Sequence, residues 1–142
     1  KGDYYYENFF YHLAERYPGK VSAVLTFDRI LAKKIYAGSD IFIMPSRSEP
    51  CGLSQMIASR YGSVPVVRET GGLYDSIKDV GCEGGGNGFT FAPYSAWELL
   101  GAVRRAVGSY RSDDWKKLVR KVMQTDFSWT KSAKEYIEKV YS

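Results

Sequence analysis

The two unbroken apolar runs "DIFIM" (residues 40 to 44) and "VPVV" (64 to 67) constrain this chain more than any other feature. A strand with one wet face alternates apolar and polar residues, so a run without alternation suits a strand covered on both faces of a parallel sheet. Parallel neighbours need a crossover rather than a tight turn. The sequence supplies one: a loop, "RSEPCG", then a helix predicted from about Leu53 to Tyr61 and stopped at Gly62. This alternation of strand and helix predicts an α/β layered fold.

The remaining segments fit around that unit. Tyr6, Phe9, Phe10 and Leu13 fall at helical spacing, and "YPGK" (17 to 20) ends the helix. "VSAVLTF" (21 to 27) predicts a strand, and "RILAKKIYAG" (29 to 38) a helix capped by Asp28 and stopped at Gly38. Gly81, Gly84, Gly85, Gly86 and Gly88 precede a short strand, "FTF" (89 to 91). They lack a Lys-Ser/Thr ending and stand ahead of a strand, so they read as a flexible connection rather than a phosphate loop. Ser95 and Glu98 form a capping box for a helix whose apolar face is Leu99, Leu100, Val103 and Val107. Trp115, Leu118, Val119 and Val122 repeat the pattern, as do Ala133, Tyr136, Ile137 and Val140, making the C-terminal third helical. No linker, repeat or low-complexity stretch divides the 142 residues, which read as one domain.

Charge and cysteine usage narrow the function. The net charge of +4 is spread along the chain, giving a mild preference for anionic ligands and no indication of nucleic acid. No apolar run approaches the roughly 20 residues that cross a membrane. "KGDYYYENFF" carries no secretory or transit pattern, so the expected location is cytoplasmic. His12 is the only histidine, and Cys51 and Cys82 lie in loops without a CxxC. Neither a metal site nor a structural disulfide is expected, and no cofactor is implied.

The chemistry concentrates in "PSRSEPCGLSQ". A loop from strand to helix lies at the carboxyl edge of a parallel sheet, where α/β folds bind ligands. Gly52 permits close backbone approach, and the N–H groups of Gly52, Leu53 and Ser54 at the helix start attract anions such as phosphate. Glu49 precedes them, placed to accept hydrogen bonds from ligand hydroxyls, so a phosphorylated sugar is the natural guest. The alternative is that Glu49 pairs with Arg47 at the surface and Cys51 is a small packing residue. A second turn, "VVRETGGL", repeats the geometry: Gly71 and Gly72 allow a backbone turn, and the two loops point to one sheet edge and one cleft.

"AGSDIFIMPSRSEPCGLSQMIASRYGSVPVVRETGGLYDSI" resembles the donor-binding signature of bacterial glycogen synthases and plant starch synthases, through its "SRxEPCGLxQ" and "RYGxxPVVRxTGGLxD" blocks. The similarity runs nearly end to end, from "KGD" through "DFSWTKSAKEYIEKVY". It implies a Rossmann-like parallel sheet layered with helices, ending in a helical segment. Residues 1 to 142 would be the C-terminal sugar-nucleotide-binding domain, N-terminally incomplete, of a B-type glycosyltransferase with two Rossmann-like halves. It also implies a glucosyltransferase that retains anomeric configuration, passing glucose from ADP-glucose or UDP-glucose to the non-reducing end of an α-1,4-glucan without a metal. On this resemblance Glu49 is the catalytic glutamate beside the donor glucose. Cys51, Gly52, Leu53 and Ser54 line the glucose and phosphates, and Thr70, Gly71 and Gly72 form the neighbouring loop. Phe27 stands where related enzymes place a tyrosine against adenine, and a phenyl face stacks equally well.

Several departures accompany the resemblance. Ile57 occupies the position of a second glutamate found in many enzymes of this fold, which the synthase branch also lacks, and Ser48 replaces a common phenylalanine. The family's N-terminal half and its "GRL…QKG" segment have no counterpart here, so the chain is expected to start after the second strand of its domain. It would be inactive alone, and its open sheet edges would favour self-association. A different reading is a stand-alone, non-catalytic module that binds nucleotide sugars or glucan. Sucrose or trehalose-phosphate enzymes are a third, which "EPCGLSQ" fits poorly.

Overall fold

The computed structural model describes residues Gly2–Tyr141. Packing divides the chain into one unit up to Ala32 and another from Lys33 onward. In the first, α1 (Tyr4–Arg16) starts at Asp3, whose carboxylate accepts the Tyr5 N–H at 2.8 Å, and none of its residues is buried. The chain then turns through Gly19 at φ +73°. Residues 21 to 27, expected as a strand, form none: their β-branched sequence favours extended backbone, yet a strand exists only where a neighbour supplies the ladder, and none of the described residues does. Helix α2 (Arg29–Gly38) has the expected bounds, with the Asp28 carboxylate accepting the N–H groups of Ile30 and Leu31 at 2.9 and 3.0 Å.

The second unit is built on three parallel strands in the order β1 (Ile41–Met44), β2 (Val64–Arg68), β3 (Phe89–Phe91). Ile41 is in register with Val64 and Met44 with Val67; Val66 is in register with Phe89 and Arg68 with Phe91. The crossovers carry α3 (Ser54–Arg60) and α4 (Gly71–Ser76), and α5 (Ala96–Tyr110), α6 (Trp115–Gln124) and α7 (Trp129–Val140) follow. This is the α/β architecture read from the alternating strands and helices.

Strand β2 explains the unbroken apolar run. Val64 and Val66 point into a core shared with Phe89, Phe91, Ala102, Ala106, Trp115 and Val122, whereas Val67 joins Leu73 and Ile77 in a second cluster. Pro65 is tolerated within this central strand because of where its missing N–H falls. The Val64 N–H reaches Asp40 O on the β1 side at 2.9 Å, so by alternation Pro65 faces β3, whose pairing begins only at Val66. Strand β1 is less covered than expected: none of its residues is fully buried and Ile43 remains 46% exposed, whereas β3, also an edge strand, is buried throughout.

The helices correct two apolar faces. In α5, Ser95 caps through the Trp97 N–H at 3.2 Å, but the buried positions are Ala102 and Ala106; Leu99 and Val103 flank them and Val107 is exposed. Small residues let the helix axis approach β3 and β2, leaving the larger side chains to fill the margins. Helix α6 buries Trp115 and Val122 as the spacing predicts. Helix α7 forms, capped by Ser128, yet its expected apolar face is exposed, including Tyr136, Ile137 and Val140. No described helix is long and apolar enough to cross a membrane.

Candidate functional site

The carboxyl ends of β1 and β2 carry two loops that touch through their main chains. The Gly72 N–H donates to Glu49 O at 3.0 Å. A methyl group on Gly71 would collide with that same Glu49 carbonyl, and one on Gly72 with the Cys51 carbonyl. Gly71 also has φ +45°, a left-handed conformation that favours glycine. The Gly-Gly pair therefore serves a close backbone approach as well as a turn: it lets the second loop lie directly on the first.

Gly52 has φ +73°, and here the close approach comes from within the chain. The Gln55 carboxamide fills the space where a β-carbon would sit, its Oε1 2.5 Å from that point. Helix α3 then begins at Ser54 without a side-chain cap, since Leu53 precedes it. Among the described residues no side chain caps its first turn. Gly52 is buried, Ser54 half-buried, and Cys51 and Leu53 exposed. Thr70 is half-buried and precedes α4, also without a side-chain cap bond.

Glu49 is half-buried, and among the described residues its carboxylate forms no ion pair, with Arg47 or any other base. Cys51 and Gly72 line a cleft of about 380 Å³ with Pro50, Met56, Asp75, Ser76 and the α7 residues Lys131 and Glu135; Glu49 is not in its wall. A second cleft, about 290 Å³, opens at the ends of β1 and β3 between Pro45, Phe91, Tyr94 and Leu99. Phe27 belongs to the first unit and is 90% exposed. Glu49, Cys51, Gly52, Leu53, Ser54, Thr70, Gly71 and Gly72 are thus gathered at one sheet edge.

Three supporting residues were missed by the sequence reading. Gln55 is fully buried and its Nε2 donates to Gly52 O (2.8 Å), Cys51 O (3.3 Å) and Ser76 Oγ (3.1 Å). Ser76 in turn donates to Gly72 O at 2.6 Å. Arg68, at the end of β2, donates to Arg47 O (2.8 Å) and Ala92 O (3.2 Å), its guanidinium 5.3 Å from the Tyr94 ring centroid. Only the position of Gln55 inside "EPCGLSQ" hinted at such a role.

Behind the loops, Asp79 ties the β3 region to α5. Arg105 bonds both its carboxylate oxygens at 2.9 Å and also Thr90 O at 2.7 Å, and the Thr90 N–H donates to Asp79 at 2.7 Å. Burial pushes the Asp79 carboxyl up, but the Arg105 bond, the amides of Thr90 and Gly81 and the Arg105 charge outweigh it and hold it below its ordinary value. The glycine cluster is a turn region without a phosphate-loop arrangement: Gly84 and Gly85 present carbonyls to Lys121 Nζ.

A parallel sheet with two apposed loops at the carboxyl ends of adjacent strands is the ligand-binding form of an open α/β domain. A model of the family described as glycosyl transferases group 1 matches residues 6 to 122, and the chain belongs to that family. Within it, the chain is similar to glycogen synthases. It is 52% identical over 141 residues to that of Desulforudis audaxviator (strain MP104C), covering 97% of this chain and 28% of the relative. It is 54% identical over 139 residues to that of Kosmotoga olearia, covering 96% and 29%. Among solved structures it resembles the catalytic domain of starch synthase IV from Arabidopsis thaliana bound to ADP and acarbose. That match has a TM-score of 0.83 and 43% identity, covering 92% of this chain and 28% of the other. The chain thus spans under a third of the length of these relatives.

Proposed function

We propose that this chain is the donor-binding part of a retaining glucosyltransferase that adds glucose from ADP-glucose, or UDP-glucose, to the non-reducing end of an α-1,4-glucan. The observation that carries the reading is the Glu49 carboxylate, without an ion pair among the described residues, in the loop that leads to the start of α3, which has no side-chain cap, and that is seated on the Thr70–Gly72 loop. In this reading the amides of Gly52, Leu53 and Ser54, with the backbone at Cys51, receive the diphosphate and hexose. Glu49 accepts sugar hydroxyls and stabilises positive charge developing at the ring, an electrostatic contribution aimed at the transition state. Gly71 and Gly72 hold the second wall beside Thr70. The ADP in the starch synthase structure supports the adenine donor over the uridine one.

Calorimetric titration of the purified chain with ADP-glucose, ADP and a maltooligosaccharide tests this. Nucleotide-sugar uptake is expected, weakened at least about tenfold by Glu49→Ala, the scale of one charge-assisted hydrogen bond. Glucan uptake with no nucleotide affinity would instead favour a non-catalytic binding module. Acceptor binding and closure over the donor are assigned to the part of the relatives that this chain does not span. The 142 residues alone are therefore expected to incorporate no glucose into glycogen above a heat-killed control.

A further inference from the structure

The joint between the two loops contains a buried polar side chain that no role yet described accounts for. Gln55 is fully buried on α3, where an apolar residue would pack at no polar cost. Its Nε2 faces three acceptors, Gly52 O, Cys51 O and Ser76 Oγ, while its Oε1 is buried with no partner among the described residues. The amide orientation follows: turned over, the oxygen would confront two carbonyls. Gln55 is thus held for what it donates. What it donates to continues through Ser76 Oγ to Gly72 O, and the Gly72 N–H returns to Glu49 O. The path starts in the first loop, passes through the second and ends on the backbone of Glu49.

We propose that Gln55 is a positioning residue, with Ser76, that holds the Glu49–Ser54 loop and the Thr70–Gly72 loop in one fixed register and so sets where Glu49 stands relative to the α3 amides. This rests on the donor-site reading above. It requires that loosening the Gln55–Ser76 link weaken donor binding without touching any donor atom.

The test compares the chain with Gln55→Met, Ser76→Ala and both together, titrated with ADP-glucose. Gln55→Met keeps the volume and removes the donors. Gln55→Glu keeps the shape, and its carboxyl can donate only when protonated. Expected are at least a tenfold weakening in Gln55→Met, a weakening in Ser76→Ala, and a double variant no worse than the poorer single one, because both break one link. Binding by Gln55→Glu, relative to the unchanged chain at each pH, is expected to rise as the pH falls and to be lost as it rises. A variant with native circular dichroism that binds as tightly as the unchanged chain, or a fully additive double variant, overturns the proposal. If Gln55→Met does not fold, Ser76→Ala and the pH course of Gln55→Glu decide in the same senses. If the unchanged chain takes up no ADP-glucose, the donor reading fails separately. Hydrogen exchange at the Gly72 amide then decides the clasp: about tenfold faster in Gln55→Met upholds it, and an unaltered rate overturns it.

Discussion

Glycines separate two kinds of position in this chain that their spacing alone cannot distinguish. Gly101 lies mid-helix in α5 with nothing near an added methyl, whereas Gly72 has the Cys51 carbonyl in that space. Gly101→Ala is therefore expected to stabilise the chain by about 0.5–1 kcal/mol by reducing the freedom of the unfolded state. Gly72→Ala is expected to destabilise it by about 1–3 kcal/mol through overpacking. Opposite movements of the urea midpoint would check both. The sequence showed that Gly71 and Gly72 make a turn, and that Gly52 permits a close approach. It did not show what approaches, because Glu49 O, Cys51 O and the Gln55 amide become neighbours only when β1 and β2 pair. Gln55 was illegible for the same reason: a glutamine near a helix start reads as a wet residue until burial is known.

At the scale of elements, length and position were legible where a local signal existed. Asp28, Ser95 and Gly62 mark helix ends through bonds or backbone angles spanning a few residues. Residues 21 to 27 misled because strandness is a property of pairs, and α5 misled because the tightest contact with a sheet belongs to its smallest side chains rather than its most apolar. The attachment of α5 also has a pH dependence. Asp79 is depressed in the folded chain, so its contribution is complete above the unfolded aspartate value of about 3.9 and drains away as the pH falls through the lower, folded value. With both partners partly exposed, the effect is about 1 kcal/mol or less. Asp79→Asn should lower the melting temperature near neutrality and flatten its decline between about pH 4 and pH 2, where carboxylates titrate. An unchanged slope would remove Asp79 from the acid response.

For the whole molecule, the family was legible from two short blocks because they encode the loops at one sheet edge, where backbone geometry tolerates little variation. The open sheet edges were expected from the resemblance, but the exposure of α7 was not legible: periodicity announces an apolar face but cannot say against what it lies. Within the described sheet, β1 and β3 each pair on one side only. Such flanks offer unpaired backbone groups to another chain. Sedimentation velocity over a hundredfold concentration range is expected to show reversible association, and a single concentration-independent boundary would dismiss it.

The wedge of two glycines under the first loop carries a further implication for how such a chain tolerates change. Where two main chains lie flush, neither can lengthen or swell without the other giving way, so substitutions on opposite sides of that seam should be acceptable only in matched combinations. Gly101, with open space around it and an ordinary helical backbone, is under no such restriction. A saturation library would then reveal a pairwise epistatic block at the sheet rim and free drift at Gly101 on α5.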